Sequence, residues 1–327
     1  MSTTNTLMEG LVPLVGAFPH FGRQQEVSRL LRCEKEARGV REARRLEGLP
    51  APSLLFLSMT QRCDLSCARC STARYPWSDD APVEAANRAL SEAERSGVSF
   101  AILTGCGRWM DPSLFDLLRV HDRQVLMLIA RPSEIDAAAA EQIASLPHVL
   151  PFLFAADAGA GCCEGRDLAS TQTAVASLRA RRVPFGFAVS ANAQNLPYLM
   201  GLEFYNDCFE GNAQFGLVLD CMRRKGRGCA CTPLCADDRA QLASHIAQVR
   251  RRTGGFLAFL PWGEASGGWC VAAPRPVEGG LPGSPPIELL HVSPSHHATG
   301  PIEPFSSRFF EGLRIASMGP AAAARVG

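Results

Sequence analysis

From residue 51 onward the chain alternates between apolar runs and mixed polar stretches. Apolar runs occupy 54–59, 99–103, 125–130, 149–155, 184–190 and 214–220, with a weaker one at 256–260. Between them, 82–96, 134–145, 170–182 and 236–252 read as helices. Continuously apolar strands that alternate with helices predict a parallel sheet buried on both faces. Six such units suggest a partial (β/α)6 barrel more than a flat sheet. In barrels of this kind the reacting groups sit in the loops that follow the strands.

Two regions flank this core. Residues 23–46 predict a helix, with Val27, Leu30, Leu31, Val40, Ala43 and Leu46 at roughly helical spacing among arginines and glutamates. A solvated amphipathic helix packed on the main domain accounts for it; an arginine-rich contact for nucleic acid or membrane is the minority reading. After about residue 262, Gly, Pro and Ser dominate up to 286. One strand at 287–292, a short helix near 309–315 and an Ala-rich tail follow. The expected organisation is an N-terminal helical extension (1–50), an α/β barrel (51–260) and an irregular C-terminal extension (261–327).

Bulk properties narrow the function classes. With 327 residues, 46% of them hydrophobic, the chain can build a substantial core. A net charge of +1 argues against a general nucleic-acid binder. No apolar run approaches the ~20 residues that span a bilayer. Residues Met1 to Phe18 lack the basic start of a secretory signal, so the expected location is cytoplasmic. There, 13 cysteines stay reduced or bind metal.

Cys63, Cys67 and Cys70 carry the strongest chemical signal. They stand at the spacing C-x3-C-x2-C, directly after the first apolar run and before a helix. Three thiolates so placed can hold three irons of a cubane cluster and leave the fourth iron open. Zinc is the competing metal, but structural zinc takes four ligands and no fourth Cys or His lies nearby in sequence. Three stray buried thiols are the bland alternative. A second group, Cys229, Cys231 and Cys235, follows the 214–220 strand, with Cys270 as a conceivable fourth member. It reads either as a second metal site or as incidental thiols. Met222-Arg223-Arg224-Lys225 with Arg227 reads as an anion contact or a solvated loop, and His296-His297 as metal ligands or a surface pair.

With these residues in view, the chain resembles the radical S-adenosylmethionine (SAM) superfamily from about residue 50 to 315. Cys63, Cys67 and Cys70 match its motif residue for residue. The resemblance implies a [4Fe–4S] cluster on the triad and SAM chelated to the open iron. It also implies reductive cleavage of SAM to a 5′-deoxyadenosyl radical that modifies a peptide or small metabolite. Ser99 to Gly107 is similar to the family's Gly-Gly-Glu strand end, which implies cofactor contacts at Gly105, Cys106 and Gly107. Ala188 to Asn195 resembles the ribose-contacting strand, with Ser190 and Asn195 in the polar positions. Gly267-Gly268-Trp269-Cys270 and Pro304 to Phe310 resemble parts of a SPASM-like extension. A one-electron donor such as flavodoxin or ferredoxin is implied as a partner.

The pattern also departs from the family. Arg69 stands where an aromatic usually precedes the last Cys, and Gly107 stands where a glutamate holds the SAM amino group. A hydrogen bond to a charged group is worth ~1.5–3 kcal/mol, so its loss weakens SAM binding roughly ten- to a hundredfold. Beyond residue 235 the one cysteine is Cys270, and Pro294-Ser295-His296-His297 stands where another is expected, so the extension is degenerate. These departures motivate the alternative function, a degenerate homologue that acts as a binding or partner subunit with little turnover.

Overall fold

The computed structural model describes residues 24–47, 54–58, 83–104, 112–155, 168–211, 213–220, 232–253, 256–260, 269–274 and 287–292. Seventeen numbered elements follow in chain order. They are α1 (Gln24–Leu46), β1 (Leu54–Ser58), α2 (Val83–Arg95), β2 (Phe100–Thr104), α3 (Pro112–Val120) and β3 (Val125–Ala130). Next come α4 (Ala137–Ala144), β4 (Val149–Phe154), α5 (Leu168–Ala180), β5 (Gly186–Ala191), α6 (Leu196–Leu199) and α7 (Glu203–Glu210). The last are β6 (Phe215–Asp220), α8 (Ala236–Thr253), β7 (Phe256–Leu260), β8 (Trp269–Pro274) and β9 (Ile287–Val292). No described helix is long and apolar enough to cross a membrane.

The strands form one sheet in the order β7-β6-β5-β4-β3-β2-β1-β8-β9. Strands β1 to β6 are the expected curled half-barrel, and every pair from β7 through β8 is parallel. Side chains alternate between the two faces. On one face Leu55, Leu57, Ala101, Leu103, Leu126, Leu128, Val189 and Val218 join Leu90 of α2, Leu118 of α3, Ile143 of α4, Leu178 of α5 and Leu242 of α8 in a single core. On the inner face Leu54, Phe100, Ile102, Met127, Phe152, Ala188 and Phe215 are buried as well. Burial on both faces is why these strands are apolar without alternation. The inner face leaves no room for a side chain at position 186. A Cβ on Gly186 would stand 2.6 Å from the Phe152 ring and 2.8 Å from the Phe215 carbonyl oxygen.

The structure adds elements that periodicity missed. Strand β8 pairs with β1 in parallel, Leu54 opposite Trp269 and Leu57 opposite Ala272, and β9 returns antiparallel beside it. The β8 run is short and closed by Pro274. Its strand character comes from pairing with β1, which local composition does not record. Helices α3, α6 and α7 are too short to give a full periodic signature. In α3 the buried Leu114, Phe115, Leu117 and Leu118 nevertheless hold helical spacing.

Helix α1 docks on the end of the sheet where the strands begin, through a different stripe from the one its apolar residues predict. Leu30 and Leu31 are buried, but Val40 is 39% and Leu46 82% exposed. The centre of the contact is polar. Arg41, fully buried, donates to the Gly97 carbonyl at 2.6 Å and to Glu34 Oε1 at 2.8 Å. Arg29 pairs with Asp122 at 3.1 Å, and Arg123 bridges to both Glu36 and Glu94. Apolar spacing cannot find a stripe whose middle is an ion pair. Gly97 makes the approach feasible. It lies at φ +85°, and a Cβ there would be 2.7 Å from the Ala37 carbonyl oxygen and from Arg41 Cγ.

Two buried histidines lie behind the same end. His121 Nε2 meets Asn87 Oδ1 at 2.8 Å, and His148 Nε2 meets the Leu118 carbonyl at 2.8 Å. Burial, and then the charge His148 would carry, push His121 below its ordinary value of 6.5.

Two outcomes follow for stability. Gly97→Ala lowers the unfolding free energy by about 1–3 kcal/mol in urea titration. Gly39→Ala, a helix position where a Cβ meets nothing within 4 Å, raises it by up to about 1 kcal/mol. Equal effects would contradict the docking of α1. The depressed histidine binds its proton less readily in the folded state than in the unfolded one. Its contribution to stability is therefore present above about pH 6.5 and is lost as pH falls below that toward the folded value. His121→Gln flattens the fall of Tm between about pH 6.5 and 5; an unchanged slope would contradict this role.

Candidate active site at the C-terminal edge of the sheet

Because β1 to β7 run parallel, Ser58, Thr104, Ala130, Phe154, Ala191, Asp220 and Leu260 all end on one edge. At β5 this edge turns polar. Ser190 is half-buried and shares the inner face with Gly186 and Ala188, while Val189 and Ala191 belong to the core beneath the helices.

The chain then makes a tight polar turn. Asn192 Oδ1 accepts from the backbone N–H groups of Gln194 at 2.9 Å and Asn195 at 3.0 Å. Asn195 Oδ1 accepts from the Asn192 N–H at 2.8 Å, and its Nδ2 donates to the Ser190 carbonyl at 2.8 Å. Both asparagines are 3% exposed, so these bonds replace water that cannot reach them. The Asn195 carboxamide thus fixes the backbone from the Ser190 carbonyl to the Asn192 N–H. It keeps one N–H and one lone pair for another partner.

A second segment docks on this turn from 38 residues away. Thr232 offers its carbonyl to the Ala193 N–H at 2.8 Å. Gln194 Nε2 donates to Thr232 Oγ1 at 3.0 Å, and Gln194 Oε1 accepts from the Thr232 N–H at 3.0 Å. Three residues on, Cys235 caps α8 reciprocally. Its Sγ accepts from the Asp238 N–H at 3.4 Å, and Asp238 Oδ2 accepts from the Cys235 N–H at 3.2 Å. In the first turn of α8, Arg239 Nε donates at 2.6 Å to Asp220 Oδ2, a carboxylate buried at the end of β6.

No family model matches the chain, and no curated protein matches it. Among solved structures, SuiB of Streptococcus suis bound to S-adenosylmethionine superposes with a TM-score of 0.52 at 16% identity, over 66% of this chain and 51% of that one. A second SuiB structure gives 0.52 at 15% identity, over 70% and 54%. The chain has the radical SAM fold. It spans about half the length of SuiB. A structure of HydG, a maturase of the [FeFe]-hydrogenase, gives 0.47 at 10% identity, over 79% and 63%.

On the radical SAM fold, the sequence-predicted residues fall into two sets. Ser190 and Asn195 stand together at the end of β5, joined through the Ser190 carbonyl. Cys63, Cys67 and Cys70 follow β1, and Gly105, Cys106 and Gly107 follow β2. Both groups lie outside the described residues, as do Arg69, Cys229, Cys231, the basic run 222–227 and His296-His297. Strands β1 and β2, whose ends lead into the triad and the glycine segment, are adjacent and in register, Ser58 opposite Thr104. Among the described residues there is no cluster of three or more His, Cys, Asp or Glu that could hold a metal ion. Cys235 is exposed, whereas burial, reinforced by Asp207, pushes the Cys208 thiol up to about 12, so it stays protonated.

Sequence reasoning passed over Asn192, Gln194, Thr232, Asp220 and Arg239. Asn-Ala-Gln-Asn directly after an apolar strand does carry a signal, since Asn favours side-chain-closed turns. Thr232 and the Asp220–Arg239 pair carry none, because each acts through a partner distant in sequence.

Proposed function

We propose that the chain is a radical SAM protein that holds a [4Fe–4S] cluster on Cys63, Cys67 and Cys70 and binds SAM along the strand ends of the half-barrel. The observation that carries this reading is the placement of C-x3-C-x2-C directly after β1, the first strand of a parallel half-barrel of the radical SAM fold. The donor set fits the group: three soft thiolates with no fourth Cys or His nearby in sequence suit iron–sulfur ligation better than closed zinc coordination. When bound, the cluster supplies the electron that cleaves SAM to methionine and a 5′-deoxyadenosyl radical, which abstracts hydrogen from the substrate.

The protein's own residues bind, orient and exclude water. Ser190, at the inner face of β5, offers its hydroxyl to the ribose. Asn195 holds the backbone around Ser190 and has one donor and one acceptor left for the cofactor. Gly105, Cys106 and Gly107 bring backbone to the methionine end, with no carboxylate at Gly107 for the amino group. The apolar inner residues Ile102, Met127 and Phe152 keep the interior below this edge dry. The substrate is a peptide or small metabolite; SuiB has been solved with its precursor peptide SuiA. A flavodoxin or ferredoxin delivers the electron. The 261–327 region serves as a degenerate SPASM-like extension. A second metal site at Cys229, Cys231 and Cys235 is the weaker part of this reading, because Cys235 already caps α8 through its sulfur.

Gly107 favours a second reading, a homologue that keeps the cluster and acts as a binding or partner subunit. The two diverge in one assay. Anaerobically reconstituted protein, given SAM and dithionite, releases 5′-deoxyadenosine above the level of a Cys63→Ala, Cys67→Ala, Cys70→Ala variant if it is an enzyme. Release no greater than that of the variant, with iron bound, would favour the partner subunit.

A further inference from the structure

The turn after β5 is held internally by Asn192 and Asn195, but those bonds do not fix it against the rest of the protein. Three hydrogen bonds to Thr232 do so. Gln194 is well suited to this, because its carboxamide engages one residue through both its oxygen and its nitrogen, which fixes direction as well as distance. Thr232 is fixed in turn. Three residues on, Cys235 caps α8, and Arg239 ties the first turn of α8 to Asp220 at the end of β6. Strand β6 pairs with β5, Ser190 opposite Leu219 and Ala191 opposite Asp220. The circuit from β5 through the turn, Thr232, α8 and β6 therefore closes on the strand where it began.

We propose that Gln194 and Thr232 form a clasp that positions Ser190 and Asn195 for the cofactor and couples that turn to the β6–α8 connection. The assignment rests on the radical SAM reading given above. Both are positioning residues, since they act through Asn195 and Ser190. The exposure of the clasp separates this role from general support. Gln194 and Thr232 are solvent-exposed, and exposed neutral hydrogen bonds add little to global stability. What the clasp does is restrict one polar turn at the site, where a displacement of about 1 Å is costly to function.

The test uses the full chain, reconstituted anaerobically, with SAM titrated against the electron paramagnetic resonance spectrum of the reduced protein. Iron content and Tm are measured in parallel. Gln194→Ala removes both side-chain bonds. Thr232→Val removes the hydroxyl acceptor and keeps the two backbone bonds, and Thr232→Ser retains all three. Gln194→Ala weakens SAM binding about three- to tenfold and Thr232→Val by less. The double variant is no worse than Gln194→Ala alone, Thr232→Ser matches the unaltered chain, and iron and Tm stay unchanged. Hydrogen exchange gives a readout free of turnover: SAM protects amides in both 190–196 and 232–236 of the unaltered chain, and in Gln194→Ala the second segment loses that protection. Unchanged affinity in the variants, additive losses, or losses that track a fall in Tm or iron would overturn the clasp while leaving the SAM reading intact. An unaltered chain whose spectrum does not respond to SAM would overturn both.

Discussion

In a parallel ladder every strand ends on the same edge, and the rest of this structure depends on that constraint. It demands a crossover between each pair of strands, which supplies the helices. It buries both faces of the sheet, which makes the strands continuously apolar. It also brings the ends of β1, β2, β5 and β6 to one edge, although they lie far apart in sequence. The Ser190 turn and the segment that starts at Thr232 meet at this edge for that reason. The described polar groups of the Ser190 turn bond to one another and to Thr232.

The opposite edge has a different task. There α1 is held by a buried Arg41–Glu34 pair and the carbonyl of a left-handed Gly97. An ion pair taken out of water gains little over an apolar contact of the same volume, but removal of one partner strands the other at a cost of about 3–5 kcal/mol. Such a contact is specific before it is strong: it accepts α1 in one register, because a shifted helix would leave two buried charges unmatched. Support at the edge where the strands begin is what β/α barrels generally show.

Much of this was legible in the sequence where information is local. The six barrel strands and the seventh at 256–260 lie within a residue or two of the apolar runs, because a strand buried on both faces announces itself without partners. The strand at 287–292 was legible as a short apolar-rich run, Ile287-Glu288-Leu289-Leu290-His291-Val292. The face of α1 was not, since Val40 and Leu46 point into solvent and a charged pair occupies the contact. Nor was β8, whose strand character comes from β1. Ser190 and Asn195 could be picked out because Ala188 to Asn195 resembles the ribose-contacting strand of the radical SAM superfamily. Thr232, Asp220 and Arg239 carry no such signal, and their roles exist through partners that the fold brings together.

The central claim is that the three thiolates after β1 hold a cluster with one iron open to SAM. The most direct measurement is the electron paramagnetic resonance spectrum of the reconstituted, reduced protein with and without SAM, alongside the Cys63→Ala, Cys67→Ala, Cys70→Ala variant. The account predicts a cluster signal whose shape changes on addition of SAM, and no signal in the variant. Zinc in place of iron, or a cluster signal that SAM leaves unmoved at saturating concentration, would contradict it.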